Sequence, residues 1–374
     1  MQQCTAEGPT IVISANSCWN IVNFRLGLVQ ALRDNGYRIV VAAPEDAYRS
    51  RLDELGITFT PVPINSSGVS VLEDLRLLAR YLKIFRALRP SAYLGFTAKP
   101  NIYGSLAARI VGAKIINNVS GLGTIFIKRG PLTVLLGQLY RLSFRTSSRV
   151  FFQNRDDLDL FVGKGIVRPE QTGLLPGSGI DLAQFKTGGT TRAPGSFRFL
   201  LVGRLLWDKG IAEYVEAARI VRDTHPGVRF QILGPIGVNN RTAVPSHSLE
   251  RWRAHQLVEY LGASDDVRTT MQQADCIVLP SYREGLPRVL LEGAALGKPL
   301  IATDVPGCRD VVVDGETGYL CEVRSADSLA AAMRKMLGAS VEARRTMGES
   351  GRRKVEQEFC ESRVVAKYLA ALGT

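Results

Sequence analysis

Apolar residues along this chain gather in short β-branched runs, separated by longer stretches where they recur every three or four positions. "TIVIS" (residues 10–14) is an uninterrupted apolar run, as in a strand whose sheet is covered on both faces. A helix is predicted from about residue 24 to Asn35, stopping at Gly36, and "RIVVAA" (38–43) predicts the next strand. Further strands are expected at "AYLGF" near Tyr93, "KIINNV" near Ile116 and "RVFFQ" near Phe151, with a long helix over residues 72–89. Strands alternating with helices predict a parallel sheet wrapped by helices.

The alternation breaks at "DLAQFKTGGTTRAPGS" (181–196), whose Gly, Thr and Pro mark a linker. It restarts with strands in "FRFLLVGR", "VRFQILG", "DCIVLP" and "PLIATD" and helices in "GIAEYVEAARIVRDT" and "PRVLLEGAALG". The fold class is therefore α/β, with two Rossmann-like, doubly wound parallel-sheet domains expected to face each other across a cleft. The expected boundaries are residues 1–187 and 188–358, with a C-terminal helix, 359–374, returning to the first domain. Open parallel sheets bind ligands beyond the carboxyl ends of their strands, so each domain offers one ligand site.

At 374 residues and 45% hydrophobic content, the chain is long and apolar enough for two globular cores. Six Cys are scattered without a CxxC pair, which fits a reduced, cytoplasmic compartment rather than a zinc or redox motif. The first residues lack the basic start and apolar run of a signal peptide, and no run of 18 apolar residues predicts a spanning helix. No GxxxxGK[ST], GxGxxG after the first strand or GxSxG is present, which disfavours P-loop, dinucleotide and serine-hydrolase readings. His225, His247 and His255 have no partners spaced for metal binding, so no metal is expected.

The net charge of +12 is uneven. Residues 1–170 carry 21 Lys/Arg against 12 Asp/Glu, and residues 75–155 carry 14 Lys/Arg with no acid. Such a segment is either a solvated basic face or a surface for a polyanion: anionic lipid, a phosphorylated substrate or nucleic acid.

Two passages carry candidate chemistry. In "LVGRLLWDKGI" (201–211), Arg204 lies just past a strand and Lys209 beside Gly210 at a helix start. Two cations there suit a diphosphate, or they pair with Asp208 or Glu213; this passage alone leaves both open. In "PSYREGLPRVLLEG" (280–293), Pro287 fits the first turn of a helix. Glu284 then projects from the loop before that helix, Gly285 permits a tight turn, and Glu292 lies inside the helix. Amides at such a start cradle phosphate.

Glu284 and Glu292 resemble the EX7E signature of retaining glycosyltransferases of family 4, which have the GT-B fold. Residues 274–320 follow that family's pattern almost throughout, and Arg204 and Lys209 match its Arg…Lys pair. The resemblance implies a nucleotide-sugar donor, most often UDP-linked, and a metal-independent reaction that retains anomeric configuration. It implies Arg204 and Lys209 on the diphosphate, Glu284 on the transferred sugar and Glu292 on the ribose. Gly285, Leu286 and Pro287 complete the donor-binding set, with Arg204, Lys209 and Glu284 the catalytic residues. No cofactor is implied beyond the UDP-sugar substrate.

The first half is similar to a subgroup that builds bacterial surface glycans on lipid carriers. That subgroup includes an N-acetylgalactosaminyltransferase acting on polyprenyl-diphosphate-linked bacillosamine. Asn23, Arg25, Lys99 and Ser120 are the expected acceptor-binding residues. Ser120 stands where many family members have a His. The basic segment 126–149 carries Leu132, Leu135, Leu136, Leu139 and Leu142 at helical spacing, among Lys128, Arg129, Arg141, Arg145 and Arg149. An amphipathic helix of this kind is either core or an interfacial anchor on anionic lipid. The expected location is cytoplasmic and peripheral, on the inner face of the cytoplasmic membrane, with no nucleic-acid partner. Two alternative classes stand beside this reading: a hydrolysing UDP-sugar epimerase of the same fold and a non-enzymatic polyanion binder.

Overall fold

The computed structural model describes residues 8–65, 70–122, 130–187, 195–238 and 240–374. The chain divides into two units. One comprises residues up to Gly179 together with Glu361–Thr374, and the other Ile180–Cys360.

The first unit contains a seven-stranded sheet. Its strands are β1 (Thr10–Ser14), β2 (Arg38–Ala43), β3 (Thr58–Pro61), β4 (Ala92–Phe96), β5 (Lys114–Val119), β6 (Arg149–Phe152) and β7 (Thr172–Leu174). They lie in the order β3-β2-β1-β4-β5-β6-β7, and every pairing is parallel. The second unit has six parallel strands: β8 (Arg198–Val202), β9 (Arg229–Leu233), β10 (Glu259–Tyr260), β11 (Cys276–Leu279), β12 (Leu300–Thr303) and β13 (Gly318–Cys321). Their order is β10-β9-β8-β11-β12-β13.

Successive strand residues point to opposite faces, so each sheet feeds two cores. Ile11 and Ile13 of β1 enter one cluster with Leu28 and Leu94, while Val12 enters the other with Tyr81 and Phe85. In the second sheet, Phe199 and Leu201 pack on one side and Leu200 and Val202 on the other. Burial on both faces is why these strands read as continuous apolar runs.

Three expectations need correction. The helix expected from about residue 24 begins at Cys18, where Ser17 Oγ accepts from the Asn20 amide at 3.1 Å. It then breaks at Arg25, and a second helix runs Leu26–Asp34. The first domain boundary falls at Ile180 rather than 188, because Ile180 and Phe185 are buried in the core of the second unit. At the other end, Phe359 packs in that same core and Cys360 bridges to Ile180, so only Glu361 onward joins the first unit. There the helix Glu361–Leu372 buries Tyr368 against Phe96 and Phe151.

Candidate functional site

In the second sheet the strand order reverses between β8 and β11. Such a reversal opens a crevice beyond the carboxyl ends of the two strands. The loops leaving these ends carry Arg204 and Lys209 after β8 and Glu284 after β11. A 3-10 turn, Trp207–Lys209, runs into the left-handed Gly210 (φ 71°), which opens the helix Ile211–Arg222. A Cβ on Gly210 would lie 2.0 Å from the Pro280 carbonyl oxygen, so only glycine lets the two loops approach this closely. The loops are also stitched together: the Tyr282 amide donates to the Asp208 carbonyl at 2.9 Å and Ser281 Oγ to the same oxygen at 3.1 Å.

This stitching brings Lys209 and Glu284 into an ion pair, with side chains 23% and 12% exposed. The pairings with Asp208 or Glu213 that the sequence left open are not formed. Asp208 accepts from Thr242 Oγ1 at 3.0 Å, and Glu213 accepts from the Tyr282 hydroxyl at 2.8 Å. Burial, reinforced by that bond to Glu213, pushes the Tyr282 phenol up to about 12. Arg324 stacks over the same ring at 4.6 Å. Arg204 is exposed and makes no side-chain hydrogen bond or ion pair with any described residue.

Gly285, Leu286 and Pro287 are buried, and the helix they lead into is Arg288–Ala295. Pro287 is the residue before this helix rather than its first residue, and no side chain caps the start. Gly307 (φ 81°) approaches from the loop after β12, where an added Cβ would lie 2.5 Å from the Gly285 carbonyl oxygen. Glu292 lies one turn into the helix, where Arg288 Nε donates to it at 2.8 Å. Burial pushes the Glu292 carboxyl above its ordinary value against the opposing pull of Arg288 and Arg268. Glu284 and Glu292 are thus held by different cations and do not act on each other as a pair.

The four expected acceptor residues lie in the first unit at different depths. Asn23 is in the last turn of the helix Cys18–Phe24 and donates to the Trp19 carbonyl at 3.0 Å. Arg25 is buried, its guanidinium 4.4 Å from the centre of the Phe96 ring. Lys99 follows β4 and pairs with Asp74 at 2.6 Å, and Asp74 also accepts from the Tyr103 hydroxyl at 2.8 Å. Ser120 follows β5 and donates to Asn118 Oδ1 at 3.1 Å.

Two family models match the chain: "Glycosyl transferases group 1" over residues 188–354 and "Glycosyl transferase 4-like" over residues 11–154. The chain belongs to the glycosyltransferases. Among curated relatives, it is similar to N,N'-diacetylbacillosaminyl-diphospho-undecaprenol alpha-1,3-N-acetylgalactosaminyltransferase of Campylobacter jejuni. The two are 26% identical over 331 residues, covering 83% of this chain and 84% of the relative. It is also similar to UDP-Gal:alpha-D-GlcNAc-diphosphoundecaprenol alpha-1,3-galactosyltransferase of Escherichia coli, at 25% identity over 281 residues and 71% of each chain. Among solved structures, sucrose-phosphate synthase from Thermosynechococcus elongatus superposes with a TM-score of 0.79 at 18% identity, covering 96% of this chain and 97% of that one. Anabaena HepE in complex with UDP and glucose gives 0.78 at 18% identity, covering 98% and 99%. These likenesses establish the GT-B fold.

The glycosyltransferase also holds polar residues that the sequence reading did not single out. Asn117 and Asn118, adjacent in β5, are buried and serve opposite sides of the sheet. Asn117 Nδ2 donates to Asn101 Oδ1 and Ser105 Oγ at 3.0 and 2.8 Å, while Asn118 Nδ2 donates to the Tyr368 hydroxyl at 2.9 Å. Two adjacent Asn in an otherwise apolar strand are the signal that would have found them, because Asn is depleted in strands. Tyr282 and Arg324, 42 positions apart in sequence, had no comparable signal.

Proposed function

We propose that this glycosyltransferase moves an N-acetylhexosamine or hexose from a UDP-sugar to a polyprenyl-diphosphate-linked acceptor, with retention of configuration and without a metal. The product would belong to a bacterial surface polysaccharide or glycoprotein glycan. The observation that carries the donor side is the Lys209–Glu284 pair at the β8/β11 reversal, with Arg204 exposed beside it in sequence. The names of the Campylobacter and Escherichia relatives, both specifying an undecaprenyl-diphosphate acceptor, support the acceptor class.

In this reading Lys209 and Arg204 meet the two phosphates of the donor. As the glycosidic bond breaks, negative charge builds on the leaving diphosphate, and the two cations stabilise that charge more than the ground state. The uncapped start of the helix Arg288–Ala295 adds its amides and dipole to the same task. Glu284 neutralises Lys209 while the site holds no donor and accepts hydroxyls of the transferred sugar once the ammonium engages phosphate. Glu292, held by Arg288 inside the helix, accepts from the ribose.

The reaction would take place on an anionic membrane surface, at the inner face of the cytoplasmic membrane. The helix Pro131–Phe144 supports this with Val134, Leu135 and Leu142 exposed, while Leu136 and Leu139 pack on the core. The described leucines of this helix are thus divided between core and surface, and the Leu132 side chain lies outside the described residues. Arg141 and Arg149 are engaged with backbone carbonyls at 165 and 172, Arg145 is exposed, and Lys128 and Arg129 lie outside the described residues. No helix among the described residues is long and apolar enough to cross a membrane.

Thermal shift with UDP and GDP, followed by turnover on lipid-linked acceptors, tests the assignment. UDP should stabilise the wild type and fail to stabilise Lys209→Ala. Equal protection of both would remove Lys209 from the diphosphate site. Co-sedimentation with anionic but not neutral vesicles is the expected result for the membrane surface.

A further inference from the structure

The first sheet reverses its strand order between β1 and β4, the counterpart of the β8/β11 reversal that holds the candidate donor residues. The residue that leaves β4 at this point is Thr97, and its backbone is unusual. Its φ is +67°. Among the described residues, Arg89, Gln256 and Arg324 are the other non-glycine positions with positive φ. Arg89 and Gln256 follow helix ends, where the left-handed turn satisfies terminal carbonyls. Thr97 follows a strand and is β-branched, a side chain that this region disfavours most. Strain of this kind persists where surrounding structure enforces it, and it concentrates at ligand sites.

The side chain adds a second, independent observation. Thr97 is half-buried, and its Oγ1 is shut away from solvent without a hydrogen-bond partner. Buried hydroxyls are nearly always bonded, and an orphan of this kind calls for a reason. A turn of about 120° in χ1 would carry Oγ1 into the position now held by the methyl group or by Hβ and would break no hydrogen bond. A third feature follows at once: the chain continues into a π-helical turn, Pro100–Gly104, a form frequent at functional sites. Nearby, Lys99, two positions on, is paired with Asp74, and the Arg25 guanidinium lies over the ring of Phe96, the residue before Thr97.

We propose that Thr97 is an acceptor-binding residue whose hydroxyl donates to a phosphate oxygen of a diphosphate-bearing acceptor at the carboxyl end of β4. This deepens the reading given under Proposed function and rests on it for the acceptor class. The strained backbone and the orphan hydroxyl are then features kept for binding that the folded chain alone would not select.

The test compares Thr97→Ser, which keeps the hydroxyl, with Thr97→Val, which keeps the shape. Steady-state kinetics would use undecaprenyl-diphosphate-linked N-acetylglucosamine and diacetylbacillosamine as acceptors. Thr97→Val should raise the acceptor KM about tenfold, as expected for a lost hydrogen bond to a charged group. Its UDP-sugar KM should stay unchanged and its Tm should equal or exceed that of the wild type, because an unbonded buried hydroxyl has gone. Thr97→Ser should keep the acceptor KM within about twofold of wild type. An unchanged acceptor KM in Thr97→Val, or equal rises in both KM values, would overturn the assignment while leaving the proposed function standing. Should the wild type turn over neither acceptor, nor gain Tm from inorganic pyrophosphate in saturating UDP, the acceptor class and the role of Thr97 fall together. A pyrophosphate shift present in wild type and lost in Thr97→Val would support the role without turnover.

Discussion

Strand order reverses between β1 and β4 in the first sheet and between β8 and β11 in the second, yet the side chains collected there differ in kind. At β8/β11 they are charges: Arg204 exposed, Lys209 and Glu284 paired and partly buried. At β1/β4 and the neighbouring β5 they are hydroxyls and amides, with Ser14 donating to the Ala42 carbonyl at 2.6 Å and Asn101 donating to that of Asn118 at 2.8 Å. The cation nearest in sequence, Lys99, is held by Asp74. One topology therefore supplies two crevices, and the residues at the strand ends give each its chemistry. The charged end suits a diphosphate leaving group, whose charge grows during reaction. The neutral, closely bonded end suits a partner that is held but whose charge does not change.

The comparison can be broken at several points, and the largest effect is expected at Gly210. Gly210→Ala places a Cβ 2.0 Å from the Pro280 carbonyl oxygen. It also forces an alanine into the left-handed region, which costs about 1–2 kcal/mol before any clash. Both loops would have to move apart, so calorimetry should show a clear fall in Tm and assays little residual transfer. Lys209→Ala comes next: loss of charge-assisted bonds worth roughly 1.5–3 kcal/mol should lower kcat/KM by about one to two decades. Its fold should survive, as seen by an unchanged far-UV spectrum.

Asn117→Ala tests the neutral crevice. It strips hydrogen bonds from Asn101, Ser105 and Ser147 and should destabilise by about 1–3 kcal/mol in denaturant titration. Donor KM should not change, since the proposed donor site lies in the other unit.

The smallest effect is a pH dependence. The folded-state pKa of Glu292 is raised from its ordinary 4.5 by burial. A raised carboxyl contributes stability that is fully present below the unfolded value and is lost as pH rises through the folded one. Wild-type Tm should therefore fall relative to Glu292→Gln as pH is raised from 4 through the lower carboxylate range into neutrality. A pH-independent difference would show that Arg288 fully compensates the burial of Glu292.

How much could be read in advance follows from burial. The nine strands anticipated from apolar runs include every interior strand of both sheets. The four not anticipated, β3, β7, β10 and β13, are the edges. An edge strand pairs on one side only, and these are short: β10 has two residues and β7 three. β3 ends on Pro61, and β13 opens on Gly318. Their weak apolar signal is lost among turn residues. Glu284 with Glu292 and Arg204 with Lys209 could be singled out as candidates because each pair lies within a short local pattern. Thr97 was not, since neither a positive φ nor an unbonded hydroxyl leaves a mark in sequence.

By itself, then, the sequence determined the α/β class, the interior strands and the candidate donor residues, because period, β-branching and loop chemistry are properties of short segments. Tertiary structure alone decided that Lys209 meets Glu284 across 75 positions, that Arg288 rather than Glu284 accompanies Glu292, and that Ile180 and Phe185 belong to the second core. Arg288 and Glu292 are only four residues apart on one helix, but the other two choices set one partner against another at long sequence separation. Such competition is resolved only when sheet order and close glycine contacts bring distant loops together.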